Sequence, residues 1–217
     1  MKRTKSLSWL SLIVFLSACA SYRAAGQVQS GRQALLISDS DRALAYFQQA
    51  AQSNPDYIYE SGLFREGVWT YVGRAQYNLG KFNEARQSLE RALSLYKVDY
   101  LARLYLGLAL ARSGDSRGFK EIESGMRGLH DWLEYINSSR PFTSFWDPLR
   151  EIRSAIEKAL ATSSGKDMDA EKLISTAEWV GYRMEDEIDR VRRDERRQFR
   201  DRDFPRRGLS IGMDIGF

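Results

Sequence analysis

The sequence predicts an all-α chain of helical hairpins extended by further helices, and three observations carry that prediction. Apolar residues recur at helical spacing over most of its length. Glycines in the middle return at a fixed interval, Gly73 as Gly107 and Gly80 as Gly114, both 34 residues on. Period-two alternation, the mark of a strand, is confined to the last ten residues. The 217 residues are 43% hydrophobic and 29% charged, the composition of a folded chain with room for a sizeable core.

The first residues differ from the rest. Met1 to Lys5 is basic, and Leu7 to Leu16 is mostly apolar, a run shorter than the ~20 residues a membrane span needs. A charged start, a short apolar stretch and small residues after it form the pattern of an export signal. Leu16-Ser17-Ala18-Cys19 closes that stretch and resembles the lipobox of bacterial lipoproteins. The chemistry there needs a thiol as nucleophile toward the lipid donor, and small residues so that a membrane protease can close on the backbone. The resemblance implies a signal peptide over 1–18 and a new N-terminus at Cys19 carrying palmitate-type acyl chains. Cys19 is the chain's only cysteine, where an oxidising compartment otherwise favours none or an even number. Ala20 follows it, where aspartate would be the usual inner-membrane retention signal. An outer-membrane lipoprotein facing the periplasm is therefore implied, held by several acyl chains at about 0.8 kcal/mol per buried CH₂. The formal net charge of +4 includes Lys2, Arg3 and Lys5 of the removed segment. Without them the chain balances to within one charge, which gives it no global attraction to nucleic acid.

The repeat lies in the middle. Trp69-Thr70-Tyr71-Val72-Gly73 and Ala75-Gln76-Tyr77-Asn78-Leu79-Gly80 precede Lys81-Phe82-Asn83-Glu84-Ala85, and Ala85 and Ala92 echo Ala43 and Ala50 upstream. The order is Trp, an aliphatic and Gly on a first helix, Gly in the turn, then small–aromatic–small on a second. It resembles the tetratricopeptide repeat, whose period is the observed one. The resemblance implies a helical-hairpin solenoid over 19–133 with units at about 24–57, 66–99 and 100–133. An insertion holding Tyr57, Tyr59, Leu63 and Phe64 separates the first two units, and the third is degenerate, with Phe119 where alanine is expected. Gly73 and Ala85 are small because two helices cross there. Trp69, Val72, Leu79, Phe82, Leu89 and Leu93 fill the layers between hairpins, and Gly80 suits a left-handed residue ending a helix.

Such a solenoid presents a concave face lined by first-helix residues not needed for packing. By the resemblance these are Arg32, Thr70, Arg74, Tyr77, Asn78, Leu104, Leu108 and Arg112, either a groove for an extended peptide of an envelope protein or a solvated face. The two-carboxylate clamp pattern of chaperone-binding relatives is missing, so C-terminal tail recognition is not expected.

Residues 134–207 read as a helical extension. Phe119, Ile122, Met126, Leu129, Leu133 and Ile136 form one stripe, and Ser138-Ser139-Arg140-Pro141 interrupts it. Asp147-Pro148 reads as an N-cap with proline in the first turn, and Phe145, Leu149, Ile152, Ile156 and Leu160 share a face. After a loop at Thr162 to Gly165, Leu173, Ala177, Val180, Met184, Ile188 and Val191 make another face. These helices are expected to extend and cap the solenoid. Arg183 to Arg207 holds ten arginines and eight acids with signs interleaved, which suits either a solvated helix or a docking surface. In the strand-like tail, 208–217, Leu209, Ile211, Met213, Ile215 and Phe217 alternate with smaller residues. It resembles the C-terminal signal of outer-membrane β-barrels, but the chain lacks the many alternating strands of a barrel. The tail either adds to a sheet edge on a partner, building the chain into a larger machine, or folds back along its own groove.

Catalytic patterns are sparse. His130 is the only histidine, so no metal-ligand spacing exists and no metal or cofactor is expected. Gly62, Gly67 and Gly73 do not form a phosphate loop, and Asp201 and Asp203 lie among arginines that keep them ionised. A non-catalytic scaffold or adaptor is the expectation. It would bind partners in outer-membrane assembly, secretion, pilus or cell-wall machinery; the alternatives are the structural subunit and a cell-wall enzyme centred on His130.

Overall fold

The computed structural model describes residues 5–61, 63–139, 146–163 and 169–203, with the side chains of 5–19, 199 and 201–203 excluded. Eight helices run in order among the described residues: α1 (Lys5–Leu36), α2 (Ser40–Ser53), α3 (Val68–Asn78), α4 (Phe82–Leu95), α5 (Tyr100–Arg112), α6 (Arg117–Ser139), α7 (Glu151–Ser163) and α8 (Ala170–Asp203). Between α2 and α3 lie two short antiparallel strands, β1 (Ile58–Ser61) and β2 (Phe64–Gly67), paired from Ile58 with Gly67 to Ser61 with Phe64. The helical-hairpin solenoid is therefore present, with α1–α2, α3–α4 and α5–α6 stacked in sequence. No helix among the described residues is long and apolar enough to cross a membrane.

The hairpins share one turn chemistry. Gly80 (φ +72°) and Gly114 (φ +80°) end α3 and α5 in the left-handed region. Lys81 N–H donates to Gln76 O and Gly80 N–H to Tyr77 O, each at 2.9 Å, and Asp115 N–H repeats this on Leu110 O. These paired bonds satisfy the last carbonyls of a helix that cannot continue. Ser38 (φ +61°) takes the same place after α1, with Asp39 N–H on Ala34 O at 2.9 Å. The interval from Ser38 to Gly80 exceeds that from Gly80 to Gly114 by eight residues, which the β-hairpin takes up. Gly31 of the first unit is thereby the counterpart of Gly73 and Gly107.

Close helix crossing at the third unit explains its degeneracy. A Cβ at Gly118 would lie 2.6 Å from Gly107 O, and one at Gly125 would lie 2.6 Å from Leu104 N. The small residue needed in α6 is Gly118, one position before Phe119, so the partly buried Phe119 can pack beside the crossing. In the hairpin, alternation puts Tyr59 and Ser61 inward on β1, and Phe64 and Glu66 inward on β2. Phe64 meets Trp132 of α6 at 5.1 Å between ring centroids, and Trp132 meets Trp146 at 4.8 Å, closing an aromatic cluster under the insertion.

The start of α7 differs from the expected proline-led helix. Asp147 (φ +49°) and Arg150 (φ +57°) bracket a turn, and α7 begins only at Glu151. The Asp147 carboxylate caps from outside, accepting Ile152 N–H at 3.1 Å and Arg153 N–H at 3.0 Å. Pro148 thus sits in the turn, and Leu149 is 78% exposed instead of joining the buried face of Ile152 and Ile156. Phe145, expected on that face, lies outside the described residues.

Substituting Gly125 by alanine forces backbone against backbone and should cost about 1–3 kcal/mol. Gly26, which has nothing within 4 Å of an added Cβ, should gain about 0.5–1 kcal/mol as alanine. Urea denaturation of the two variants measures both; equal effects would contradict the crossing geometry.

Candidate functional site

The groove expected to take a partner's peptide is occupied by the chain's own last helix. Leu173, Ala177, Val180, Met184, Ile188 and Val191 are all buried, and α8 contacts α5, α6, α7 and β1 rather than only stacking at the end of the solenoid. Gly181 lets it approach α5 closely, since a Cβ there would lie 2.6 Å from the Tyr105 hydroxyl.

An ion cluster holds this helix. Arg32 follows Gly31 in α1 and Arg74 follows Gly73 in α3, so the two arginines hold the same place in successive units. Both are buried, and both meet Glu185 of α8. Arg32 Nε donates to Glu185 Oε1 at 2.7 Å, and Arg74 Nη1 lies 2.9 Å from Glu185 Oε2. Arg74 Nη1 also donates to Glu66 Oε1 of β2 at 2.7 Å, and Arg32 Nη1 donates to the Tyr59 hydroxyl at 2.6 Å. Leu108 takes the equivalent position in the third unit and is fully buried, so Glu185 pairs with arginines of the first two units.

The two carboxylates differ in their protonation. Burial is the largest influence on Glu185 and would raise its pKa, but Arg32 and Arg74 together outweigh it and hold the group below the ordinary range. Burial, with Glu185 and Asp99 nearby, outweighs the Arg74 guanidinium paired with Glu66 and pushes that carboxyl up to about 7.

Further along the groove, the Tyr77 hydroxyl donates to Glu178 Oε1 at 2.5 Å, and Arg112 Nη2 donates to the same oxygen at 2.9 Å. Arg112 also reaches Glu171 at 3.1 Å. Thr70 Oγ1 donates to Asp99 Oδ2 at 2.7 Å. Asp99 also accepts Gly67 N–H and caps α5 through Ala102 N–H, both at 2.9 Å, which fixes the ends of β2, α3 and α5 together. Of the positions expected to line the groove, Arg32, Thr70, Arg74, Tyr77, Leu104 and Leu108 are therefore buried against this chain itself. Asn78 and Arg112 are exposed. The first acidic stretch of α8, expected on a solvated or docking face, is turned inward: Glu185, Glu187 and Asp189 are all buried. Arg32 and Arg74 were legible as groove arginines; their ligand was not, because Glu185 sits among many charges of both signs.

A cavity of about 530 Å³ remains beside α8, where the α1–α2 and α3–α4 turns face it. Leu35, Phe82 and Tyr105 give it apolar walls, and Asn78, Arg112 and Tyr182 stand among its lining residues. Arg74 contributes a buried Nε with no hydrogen-bond partner among the described residues.

His130 lies on α6, away from this groove, with Nε2 3.1 Å from Glu157 and Nδ1 3.4 Å from Asp131. His130, Glu134 and Glu157 place possible ligand atoms within 4.8 Å of one another. Both carboxylates are already engaged by guanidiniums, however: Arg150 bridges Glu134 and Glu157 at 3.1 Å, and Arg153 meets Glu134 at 3.0 Å. The group reads as an ion-pair lattice joining α6 to α7. The Cys19 side chain and the tail residues Leu209, Ile211, Met213, Ile215 and Phe217 lie outside the described residues.

Replacing Glu185 by alanine leaves two buried guanidiniums on one remaining carboxylate, and should cost about 3–5 kcal/mol. Glu178→Gln, partly exposed, should cost no more than about 1 kcal/mol. The Glu66 pKa is raised on folding, so its stabilising contribution is full below about 4.5 and is lost as pH rises through about 7. Between pH 5 and 8 the advantage in Tm of wild type over Glu66→Gln should therefore shrink; a constant or growing gap contradicts the assignment.

The tetratricopeptide repeat family model matches residues 67–97, the span of α3 and α4. A comparison with curated proteins finds no match. The chain thus contains a tetratricopeptide repeat, a unit typical of protein–protein interaction scaffolds, set in a larger solenoid of helical hairpins.

Proposed function

We propose that the protein is a lipid-anchored, non-catalytic scaffold of the bacterial envelope, tethered through Cys19 to the outer membrane and holding a protein partner on its periplasmic side. The export-type start and Leu16-Ser17-Ala18-Cys19 support the anchor. The partner belongs to outer-membrane assembly, secretion, pilus or cell-wall machinery.

The observation that carries the scaffold reading is the cavity left between α8 and the hairpin turns. Its apolar walls suit an aliphatic or aromatic side chain of an extended peptide. The exposed Asn78 amide offers donors to that peptide's carbonyl or carboxylate oxygens. The peptide would then rest on a composite surface, one side formed by the repeats and the other by α8.

Asn78→Glu and Tyr182→Ala both change exposed side chains at the cavity, so stability should stay within about 0.5 kcal/mol of wild type. Affinity purification from detergent-solubilised envelopes, compared by mass spectrometry, should recover at least about tenfold less of the principal partner with the double variant. Undiminished recovery would remove the cavity from the binding surface. Palmitate labelling of wild type but not of Cys19→Ser tests the anchor, and an unlabelled wild-type protein overturns it.

A further inference from the structure

Charge is divided along α8 in a way its overall balance conceals. From Ala170 to Asp189 the helix carries six acids and two basic residues; from Arg190 to Asp203 it carries seven arginines and four acids. The acidic half lies in the groove. The arginine-rich half runs past it, and its destination follows from the contacts with α1.

Glu185 lies beside Arg32, and one helical stretch later Arg192 donates to Gln29, so α8 advances as α1 is followed back toward its start. The α8 helix also contacts β1, which brings it to the α2–β1 turn. Ser21 of α1 reaches the same turn, its hydroxyl accepting from Asn54 Nδ2 at 3.1 Å. The last turns of α8 therefore run toward the stretch of α1 at Ser21, two residues after Cys19.

The side chains at that end differ from those of the body. Arg183, Arg190 and Arg193 of α8 are each paired with a carboxylate. Arg196, Arg197 and Arg200 are exposed and have no carboxylate partner among the described residues, and neither has Arg23 of α1. Tyr22, beside Arg23, is 85% exposed.

We propose that this end, with Tyr22 and Arg23 of α1 and Arg196, Arg197 and Arg200 of α8, lies against the anionic phospholipid headgroups of the leaflet that holds Cys19. The inference rests on the lipid-anchor reading and adds an orientation to it. Guanidiniums pair with phosphate oxygens through two parallel bonds, an exposed tyrosine suits the headgroup level, and an acyl anchor with a cationic patch binds where either alone is weak. Because Ser21 is already bonded to the body, little chain separates the anchor from the fold, and the solenoid would sit at a fixed angle to the membrane.

Cys19 is the only cysteine, so in the acylated full-length protein Gln198→Cys, at an exposed position, provides a single thiol for an environment-sensitive dye. Flotation on phosphatidylcholine vesicles reports the acyl anchor by itself. On vesicles that also contain phosphatidylglycerol, the dye should shift to the blue, and quenching by brominated lipid should rise at least about fivefold. High salt, or the added substitutions Arg196→Gln, Arg197→Gln and Arg200→Gln, should abolish both changes while the melting curve stays unaltered. Equal emission on the two vesicle types, or emission unchanged by the three substitutions, overturns the proposal with the anchor intact. Failure to float on phosphatidylcholine overturns the anchor. In that case flotation on phosphatidylglycerol vesicles alone still supports the cationic surface, and failure on both removes it.

Discussion

Glu185 is held between two arginines that occupy the same position in successive repeats, and the arrangement of the molecule depends on that contact. Repetition of sequence places Arg32 and Arg74 one above the other on the concave face, and a single acid on a crossing helix can then bridge both. The bridge reaches further through Arg74 to Glu66 of the β-hairpin and through Arg32 to Tyr59. Four elements distant in sequence (α1, the hairpin, α3 and α8) are thereby locked in one register. Buried ion pairs add little net stability, since desolvation offsets most of the attraction. Their effect here is selective, because a helix shifted along the groove would bury the same apolar surface yet leave two guanidiniums without their acid. The apolar face of α8 supplies the affinity, and the ion cluster supplies the position.

That position alters what the repeats can offer a partner. A solenoid of hairpins exposes first-helix residues on its concave side, but here most of that side is already covered by residues 173–191. What remains is a mouth bounded on one wall by the repeat turns and on the other by α8. A peptide bound there would touch both walls, so a change on α8 would alter its binding with no repeat residue touched. The charge of α8 is unequal: its acidic half satisfies the arginines of the groove, whereas Arg196, Arg197 and Arg200 of its basic half are exposed.

Much of the fold was legible because it rests on local signals. The 34-residue recurrence marks α3 to α6, the left-handed glycines end α3 and α5, and the stripes from Ile122 to Ile136 and from Leu173 to Val191 are buried as their spacing indicates. Legibility ended where a residue's role is set by a distant partner. Arg32 and Arg74 looked like ligands for a peptide, and they do bind a peptide segment, but it is their own α8. Glu185, Glu187 and Asp189 looked solvated because interleaved charge is usually a surface pattern; burial became possible only against matching cations or backbone donors elsewhere in the fold. The four-residue strands were too short to show alternation, and the Asp147 turn replaces a local cap by one reaching five and six residues ahead. In the third repeat the small residue had moved by one position, from Phe119 to Gly118, which a glycine search in place of an alanine search would have found.

With its apolar face buried, α8 is an integral wall of the groove and not a helix resting on its surface. Native-state amide hydrogen exchange measures this directly, because it reports the free energy of opening for each segment. Amides from Ala177 to Val191 should be protected to the same degree as those of α5, and should exchange only when the whole solenoid opens. Fast exchange across that segment, with α3 to α6 still protected, would show instead that α8 leaves the groove independently of the repeats.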